Sequence, residues 1–164
     1  MVGKRYAIGA GALAVVVAAA GWGWWAGHDS GPRYGLRAAE RASGAACAGL
    51  AGRWPARLDG HGREGVGVTG AEAWGGGAVT ARCGLTSPGP SLDPCVSVNG
   101  VDWLIEQAGS RQSGRKVLVS YGRDPAVEVT IAPGVRAVDE VLIGLSEAVA
   151  PLAQRSHCLD SQGH

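Results

Sequence analysis

An Asn-Gly pair at residues 99–100 constrains the fold more than any other feature of the sequence. It separates two short runs rich in β-branched residues, 95–98 and 101–105. Asn and Gly both tolerate the positive φ angles of a two-residue type I′ turn, whose twist matches that of antiparallel strands. Such a turn pairs Val96 with Trp103 and places both side chains on one face. The sequence therefore predicts an antiparallel hairpin with one apolar face.

Three further stretches have the composition of strands. Residues 79–83 alternate apolar and polar side chains, which is the period of a strand with one buried face. Residues 116–121 and 126–131 are rich in β-branched residues and flank a turn, which is typical of a second hairpin. The polar residues 107–115 are predicted to form a loop. Because hairpins join most of these stretches, the sequence predicts an antiparallel sheet.

Two stretches have the pattern of helices. Residues 37–50 are rich in alanine, and apolar residues recur at helical spacing between Val138 and Leu152. Between the first helix and the strand at 79–83, we expect a Gly-rich loop, an edge strand around residues 66–68 and one helical turn starting at Thr69. The predicted fold class is therefore α+β, with about five antiparallel strands and two helices on one face of the sheet.

The amino-terminal segment predicts attachment to a membrane. Lys4 and Arg5 precede residues 6–26, which carry no charged side chain and are long enough to cross a bilayer as a helix. Basic residues stay on the cytoplasmic side, so the chain after this segment is expected outside the cytoplasm. The alternative is a cleaved signal peptide that ends near residues 18–20, and it leads to the same compartment.

This topology divides the chain into five predicted regions. They are a cytoplasmic tail (1–5), a transmembrane helix or signal anchor (6–26), a linker (27–36), an extracytoplasmic α+β domain (37–160) and a carboxyl-terminal tail (161–164). The predicted location is the cell membrane, with a single pass and the amino terminus in the cytoplasm.

Four cysteines fit an oxidising compartment. None of Cys47, Cys83, Cys95 and Cys158 forms a C-x-x-C pair, so redox catalysis and zinc binding have little support. Of the three possible pairings, the most local one joins Cys83 to Cys95 around a Pro-rich loop and leaves Cys47 to join Cys158. We therefore expect two disulfides that clip the domain together. The alternative is four free buried thiols.

The charge balance and the motifs exclude several classes of function. The chain has 15 Lys and Arg against 14 Asp and Glu, which gives no electrostatic case for nucleic-acid binding. The four histidines lack metal-ligand spacing, and the sequence contains no phosphate-binding loop, nucleophile elbow or H-E-x-x-H helix. We therefore predict no cofactor, no metal site and no catalytic residues.

Three charged residues in the predicted strands and turns form one candidate surface cluster, Asp102, Arg123 and Glu128. On the sheet face away from the helices, these side chains would hold a sugar or peptide group. The structural alternative is an Arg-carboxylate bridge that fastens neighbouring hairpins. A third interpretation makes Asp102 and Glu128 the acid and base of a hydrolase.

The order of several short motifs between residues 46 and 131 resembles that of a known family. The motifs are Ala73-Trp74-Gly75, Arg82-Cys83-Gly84, Cys95, Val98-Asn99-Gly100-Val101-Asp102-Trp103, Tyr121-Gly122-Arg123 and Pro125-Ala126-Val127-Glu128-Val129. Together they resemble the actinobacterial domain-of-unknown-function 3515 family. The resemblance implies a membrane-attached or secreted protein of the cell envelope, with no assigned activity and no catalytic residues to carry over.

Location and the lack of catalytic motifs together predict a non-catalytic binding or interaction module of the cell envelope. Its expected partners are the membrane, through residues 6–26, and another envelope protein or a cell-wall component. The alternative is an envelope hydrolase that uses Asp102 and Glu128. Geometry discriminates between the two, because a hydrolase needs both carboxylates to open into one cleft.

Overall fold

Residues 32–159, which the computed structural model describes, form eight strands and three short helices. The strands are β1 (Arg57–Leu58), β2 (His61–Glu64), β3 (Ala71–Trp74), β4 (Val79–Leu85), β5 (Cys95–Val98), β6 (Val101–Ile105), β7 (Lys116–Ser120) and β8 (Ala126–Ile131). The helices are α1 (Ala45–Leu50), α2 (Gln107–Ser113) and α3 (Val138–Val149). All strands lie in one antiparallel sheet, in the order β1-β2-β3-β4-β8-β7-β6-β5.

The predicted five-stranded sheet is wrong, because three more strands extend it beyond β4. β1 and β2 lie where the sequence predicts a Gly-rich loop, and β3 replaces the predicted helical turn. The edge strand predicted around residues 66–68 is wrong, because these residues fall in a connection. β2 is polar and largely exposed, so it has no apolar alternation from which to predict it. Its position is fixed instead by pairing with β3, where Arg63 lies opposite Trp74.

The predicted pair of helices is also wrong in part. Only α1 is helical within the predicted helix 37–50. The residues before α1 are held on the sheet, since the Arg41 amide donates to the Gly84 carbonyl oxygen at 3.1 Å. α2 replaces the predicted loop at 107–115, and it buries no side chain, so no apolar stripe indicates it. The third helix, α3, is confirmed.

The predicted transmembrane helix is not among these elements. The longest helix within residues 32–159 is α3, whose 12 residues are too few to cross a bilayer. The membrane segment predicted at 6–26 lies outside the described residues. The described fold is mostly antiparallel sheet with three short helices and two disulfides.

The Asn-Gly hairpin is confirmed in its turn and its register. Asn99 and Gly100 have φ angles of 46° and 73°, as a type I′ turn requires. Val96 lies opposite Trp103, as the two-residue turn predicts. The second predicted hairpin is present as β7 and β8.

The main core lies between one face of the sheet and the helices α1 and α3, and we call this the helical face. Trp74 and Trp103 are its largest fully buried side chains. The Trp103 Nε1–H donates to Ser146 Oγ on α3 at 2.9 Å. Both residues are buried, so the indole N–H and the hydroxyl oxygen find in each other the hydrogen-bond partner that solvent cannot supply.

The chain before α1 crosses the other face of the sheet, which we call the second face. Leu36 packs against a small cluster that contains Ala71 of β3. At the end of β4, Gly84 has a φ angle of +111°, and a Cβ there would lie 2.4 Å from the Ala42 amide nitrogen. Glycine is therefore required at position 84 for this segment to lie directly on the strand.

All four cysteines form disulfides, but the predicted pairing is wrong, because the bonds are Cys47–Cys83 and Cys95–Cys158. Three strands separate β4 from β5 in the sheet. At the usual spacing of strands, Cys83 and Cys95 lie about 19 Å apart. A disulfide requires Cα atoms within roughly 7 Å. Proximity along the chain is therefore no guide here, because the Pro-rich loop crosses most of the sheet.

Candidate functional site

The structure separates Glu128 from the other two residues of the predicted surface cluster, Asp102 and Arg123. Glu128 on β8 accepts two hydrogen bonds from Arg82 on β4, from Nε at 2.7 Å and from Nη2 at 2.9 Å. This is the bidentate geometry of a guanidinium and a carboxylate, and it raises the pKa of Arg82. Glu128 therefore pairs with Arg82 rather than with Arg123, the arginine of the predicted cluster, and the bridge joins β4 to β8.

Arg123 instead fastens to the sheet the residues that follow α3, 150–158, which we call the tail. Its guanidinium donates to four acceptors, the backbone oxygens of Gly100, Ala150 and Leu152 and Oε1 of Gln154. The residue is only 4% exposed. Burial lowers the pKa of Arg123, and the Asp102 carboxylate opposes this effect. Arg123 is therefore a buried structural group and is not available to a ligand.

Asp102 belongs to the same buried network as Arg123. Its Oδ2 accepts hydrogen bonds from Gln154 Nε2 and from the Cys158 amide, both at 3.1 Å, and lies 3.3 Å from His157 Nδ1. Gln154 thus bridges the two charged groups, since its other amide atom accepts from Arg123. The network holds the tail against the hairpin β5–β6, beside the Cys95–Cys158 disulfide.

The two carboxylates of the hydrolase alternative do not share a cleft. Glu128 lines a cavity of about 480 Å³ on the second face. Asp102 is not among the residues of that cavity, and it is 6% exposed beneath the tail. Glycosidases hold two carboxyl groups about 5 to 9.5 Å apart, on either side of the bond that breaks. The arrangement of these two residues therefore gives no support to a hydrolase.

The cavity around Glu128 offers few groups to a ligand. Its lining includes three arginines, Arg37, Arg82 and Arg115, together with the backbone of residues 76–77. Arg82 is bound to Glu128, and Arg115 Nη2 donates to the carbonyl oxygens of Gly77 at 2.7 Å and Ala78 at 3.0 Å. Two of the three cations are thus committed to the fold. Arg82 and Arg115 therefore stabilise the β4–β8 pair and the β3–β4 turn.

Glu106, which immediately precedes α2, lies in an unfavourable environment for a carboxylate. Burial raises the pKa of Glu106 above its ordinary value of 4.5, and the carboxylates of Glu128 and Asp93 raise it further. The protonated form is thus favoured by folding. Its stabilising contribution is complete below pH 4.5 and is lost as the pH rises through the folded-state pKa.

We therefore expect Glu106→Gln to raise the Tm at pH 7 and to leave it nearly unchanged below pH 4. The gain in the free energy of unfolding should not exceed about 1 kcal/mol, because the carboxylate is partly solvated. Thermal denaturation at the two pH values measures it. Glu40→Gln, at an exposed position, is the control. An equal Tm change at both pH values would contradict the assignment.

The helical face is left uncovered near the edge strand β5, where a groove of about 740 Å³ opens between α2, α3 and strands β5 to β7. Leu118 and Leu142 form its buried floor, with 2% and 5% exposed. The other apolar residues that line it are Val96, Val98, Ile105 and Val138. Val96 is 37% exposed. The volume lies within the range of about 300 to 1,000 Å³ that small-molecule sites occupy.

Polar and charged side chains form the rim of this groove. Three of them are cations, Arg111, Lys116 and Arg136, and one is the carboxylate of Asp139. All four residues are exposed, and among residues 32–159 none of the three cations has a carboxylate within ion-pair distance. The rim therefore presents a net positive charge above an apolar floor. We call this combination the rimmed groove.

The sequence indicates the residues of the rimmed groove but not their exposure. Val96 and Ile105 fall on the predicted apolar face of the first hairpin. A helix of 12 residues is about 18 Å long, whereas eight strands span about 34 Å. One helix therefore cannot cover the whole face, and the sheet's true width decides what stays exposed. Among residues 32–159, no group of His, Cys, Asp and Glu is arranged to hold a metal ion.

The chain matches one protein family over most of its length. The profile of the family described as "Protein of unknown function (DUF3515)" matches residues 9–157. No curated protein and no solved structure matches the chain. The matched range contains every motif on which the resemblance depends, so the chain belongs to the DUF3515 family.

Proposed function

We propose that this chain is a membrane-attached, extracytoplasmic protein that binds a ligand or partner of the cell envelope without catalysing a reaction. The observation that carries the proposal is the rimmed groove, which exposes apolar side chains beside three cations that form no ion pair within the described residues. Exposed apolar surface is costly to solubility, and a concave patch of it ringed by polar groups is typical of a binding site.

Two features support the extracytoplasmic location. All four cysteines are oxidised in pairs, and disulfides persist in compartments outside the cytosol. The uncharged residues 6–26 follow two basic residues, which orients such a segment with its amino end inside. Both features favour a domain that folds on the outer side of the membrane.

The positions of Asp102 and Glu128 favour a binding protein over a hydrolase. Asp102 is occupied by the tail, and Glu128 by Arg82. Neither carboxylate is free to take or give a proton in a cleft, which a general acid or base must do. The rimmed groove contains one carboxylate, Asp139, with no second carboxyl group among its lining residues.

Alkaline phosphatase fused after His164 is expected to be active in cells, because that enzyme requires disulfides formed outside the cytoplasm. The measurement is phosphatase activity normalised to the amount of fusion protein. A fusion that lacks the predicted membrane segment, residues 6–26, serves as the cytoplasmic control. An inactive full-length fusion would contradict the proposed location.

The groove itself is tested with 8-anilinonaphthalene-1-sulfonate, a dye that combines an apolar ring system with an anion. We expect secreted, oxidised residues 32–164 to bind it, and Val96→Asp to weaken binding by about tenfold, since the new charge must be desolvated. Fluorescence titration measures the Kd.

Ile143→Asp is the matched control for this experiment. Ile143 is 42% exposed, lies on α3 and does not line the groove. It should bind the dye as the unaltered protein does. Equal binding by Val96→Asp and the unaltered protein would rule out the groove as the site.

A further inference from the structure

We propose that the rimmed groove binds a membrane lipid, with one acyl chain on its apolar floor and an acidic phosphate headgroup at Arg111, Lys116 and Arg136. This inference rests on the proposed function, because it names the class of ligand for the same groove. Three observations carry it: the lining, the charge of the rim, and the end of the sheet at which the rim lies.

The lining suits a hydrocarbon chain. Six aliphatic side chains from β5, β6, β7 and α3 line the groove, and polar lining groups are confined to α2, to the start of β7 and to the residues around the start of α3. An aliphatic floor offers no hydrogen bonds, so it gains binding energy by removing apolar surface from water. A sugar or a polar peptide would leave its own polar groups unpaired there.

The rim suits an acidic headgroup. Arg111, Lys116 and Arg136 are contributed by α2, the start of β7 and the segment before α3, so they surround the groove rather than lie along one element. Asp139 is the one opposing charge in the lining, which leaves a net charge of two positive units. Basic side chains attract anionic lipid headgroups, and each adds to the affinity.

The cationic rim of the groove lies at the end of the sheet where the described chain begins. Tyr34 lies against Gly77 in the β3–β4 turn, since a Cβ at Gly77 would lie 2.6 Å from its ring. Arg115, the neighbour of Lys116 in the rim, donates to the Gly77 carbonyl oxygen in the same turn. The predicted membrane segment ends at residue 26, six positions before the first described residue. A tether this short holds that end of the sheet, and with it the rim, close to the bilayer surface.

The test uses the full chain in a nonionic detergent and counts bound lipids by native mass spectrometry. The probes are dioleoyl phosphatidylglycerol, which is anionic, dioleoyl phosphatidylcholine, which is zwitterionic, and glycerol 1-phosphate, which is a headgroup without chains. We expect one bound phosphatidylglycerol per chain, at an affinity about tenfold above that of phosphatidylcholine.

Two variants address the two parts of the groove. Val96→Asp should abolish the bound phosphatidylglycerol. The triple variant Arg111→Gln, Lys116→Gln, Arg136→Gln should lower its affinity to that of phosphatidylcholine. The matched controls are Ile143→Asp, and the triple variant Arg53→Gln, Arg57→Gln, Arg155→Gln, whose exposed arginines lie outside the groove. Both controls should bind as the unaltered chain does.

Each other outcome overturns the inference in a different way. Equal lipid binding by all variants would place the lipid elsewhere on the chain. Equal binding of both lipids would exclude the headgroup contacts, and binding of glycerol 1-phosphate alone would exclude the acyl chain. No bound lipid, combined with dye binding that Val96→Asp weakens, would reject a lipid ligand while leaving the proposed function in place. Loss of both signals would reject the proposed function as well.

Discussion

Replacement of Cys47 and Cys83 together by alanine is expected to lower the free energy of unfolding by about 4 kcal/mol. The bond closes a loop of 36 residues, and its removal gives that loop back its conformational freedom in the unfolded chain. Both sulfurs lie in the main core, between α1 and β4. α1 has only six residues, too few to be stable in isolation. Its stability therefore depends on packing against the sheet, and the disulfide links its Cys47 side chain covalently to β4.

Urea denaturation, monitored by circular dichroism, measures this loss of stability. Cys47→Ala alone is a poor test, because it leaves a free buried thiol that pairs wrongly during folding. Ala48→Ser, at an exposed position on the same helix, is the control for changes in α1 itself and should shift stability by less than about 0.5 kcal/mol. A loss below about 1 kcal/mol in the double variant would contradict a stabilising role for this disulfide.

Arg123→Leu is expected to cost about 3 kcal/mol of stability, since it leaves one buried and two partly buried carbonyl oxygens without their donor. The side chain binds the backbone at Gly100, Ala150 and Leu152. Those oxygens belong to the β5–β6 turn and to the end of α3, so a single side chain connects the hairpin to the last helix. Leucine fills part of the volume but donates no hydrogen bond.

Arg155→Leu is the matched control for Arg123→Leu. Arg155 lies in the same tail, its side chain is 75% exposed, and its ion pair with Asp124 measures 3.4 Å. An exposed pair of this kind contributes less than about 1 kcal/mol. Thermal or urea denaturation compares the two. Equal losses in the two variants would show that Arg123 does not hold the tail.

The sequence predicts the parts of this fold that depend on local chemistry. The Asn-Gly turn fixes the first hairpin because its φ angles and register follow from two residues. α3 follows from apolar spacing over 12 residues. β2 does not, because an exposed polar strand is held by its neighbour and carries no pattern of its own.

The candidate site depends on features that are not local. β4 pairs with β8 rather than with β5, and this order decides both the disulfide pairing and the partner of Glu128. Asp102 and Arg123 were predictable as embedded charges, but their common partner, Gln154, lies in a tail with no regular structure. The rimmed groove depends on how much of a wide sheet a short helix covers. The strand order, the position of the tail and the coverage of the sheet by the helix are set only when the whole sheet is assembled.

The network around Arg123 also fixes the position of the tail, which holds the last described residues. A Cβ at Gly122 would collide with the backbone of Ser156, so the tail lies directly on the β7–β8 turn. That turn is at the opposite end of the sheet from Tyr34 and from Lys116 of the groove's cationic rim. The six residues of β8 span about 20 Å between the two ends. In the proposed orientation, with the cationic rim at the bilayer, any cargo joined after this tail would therefore project away from the membrane and leave the rim unobstructed.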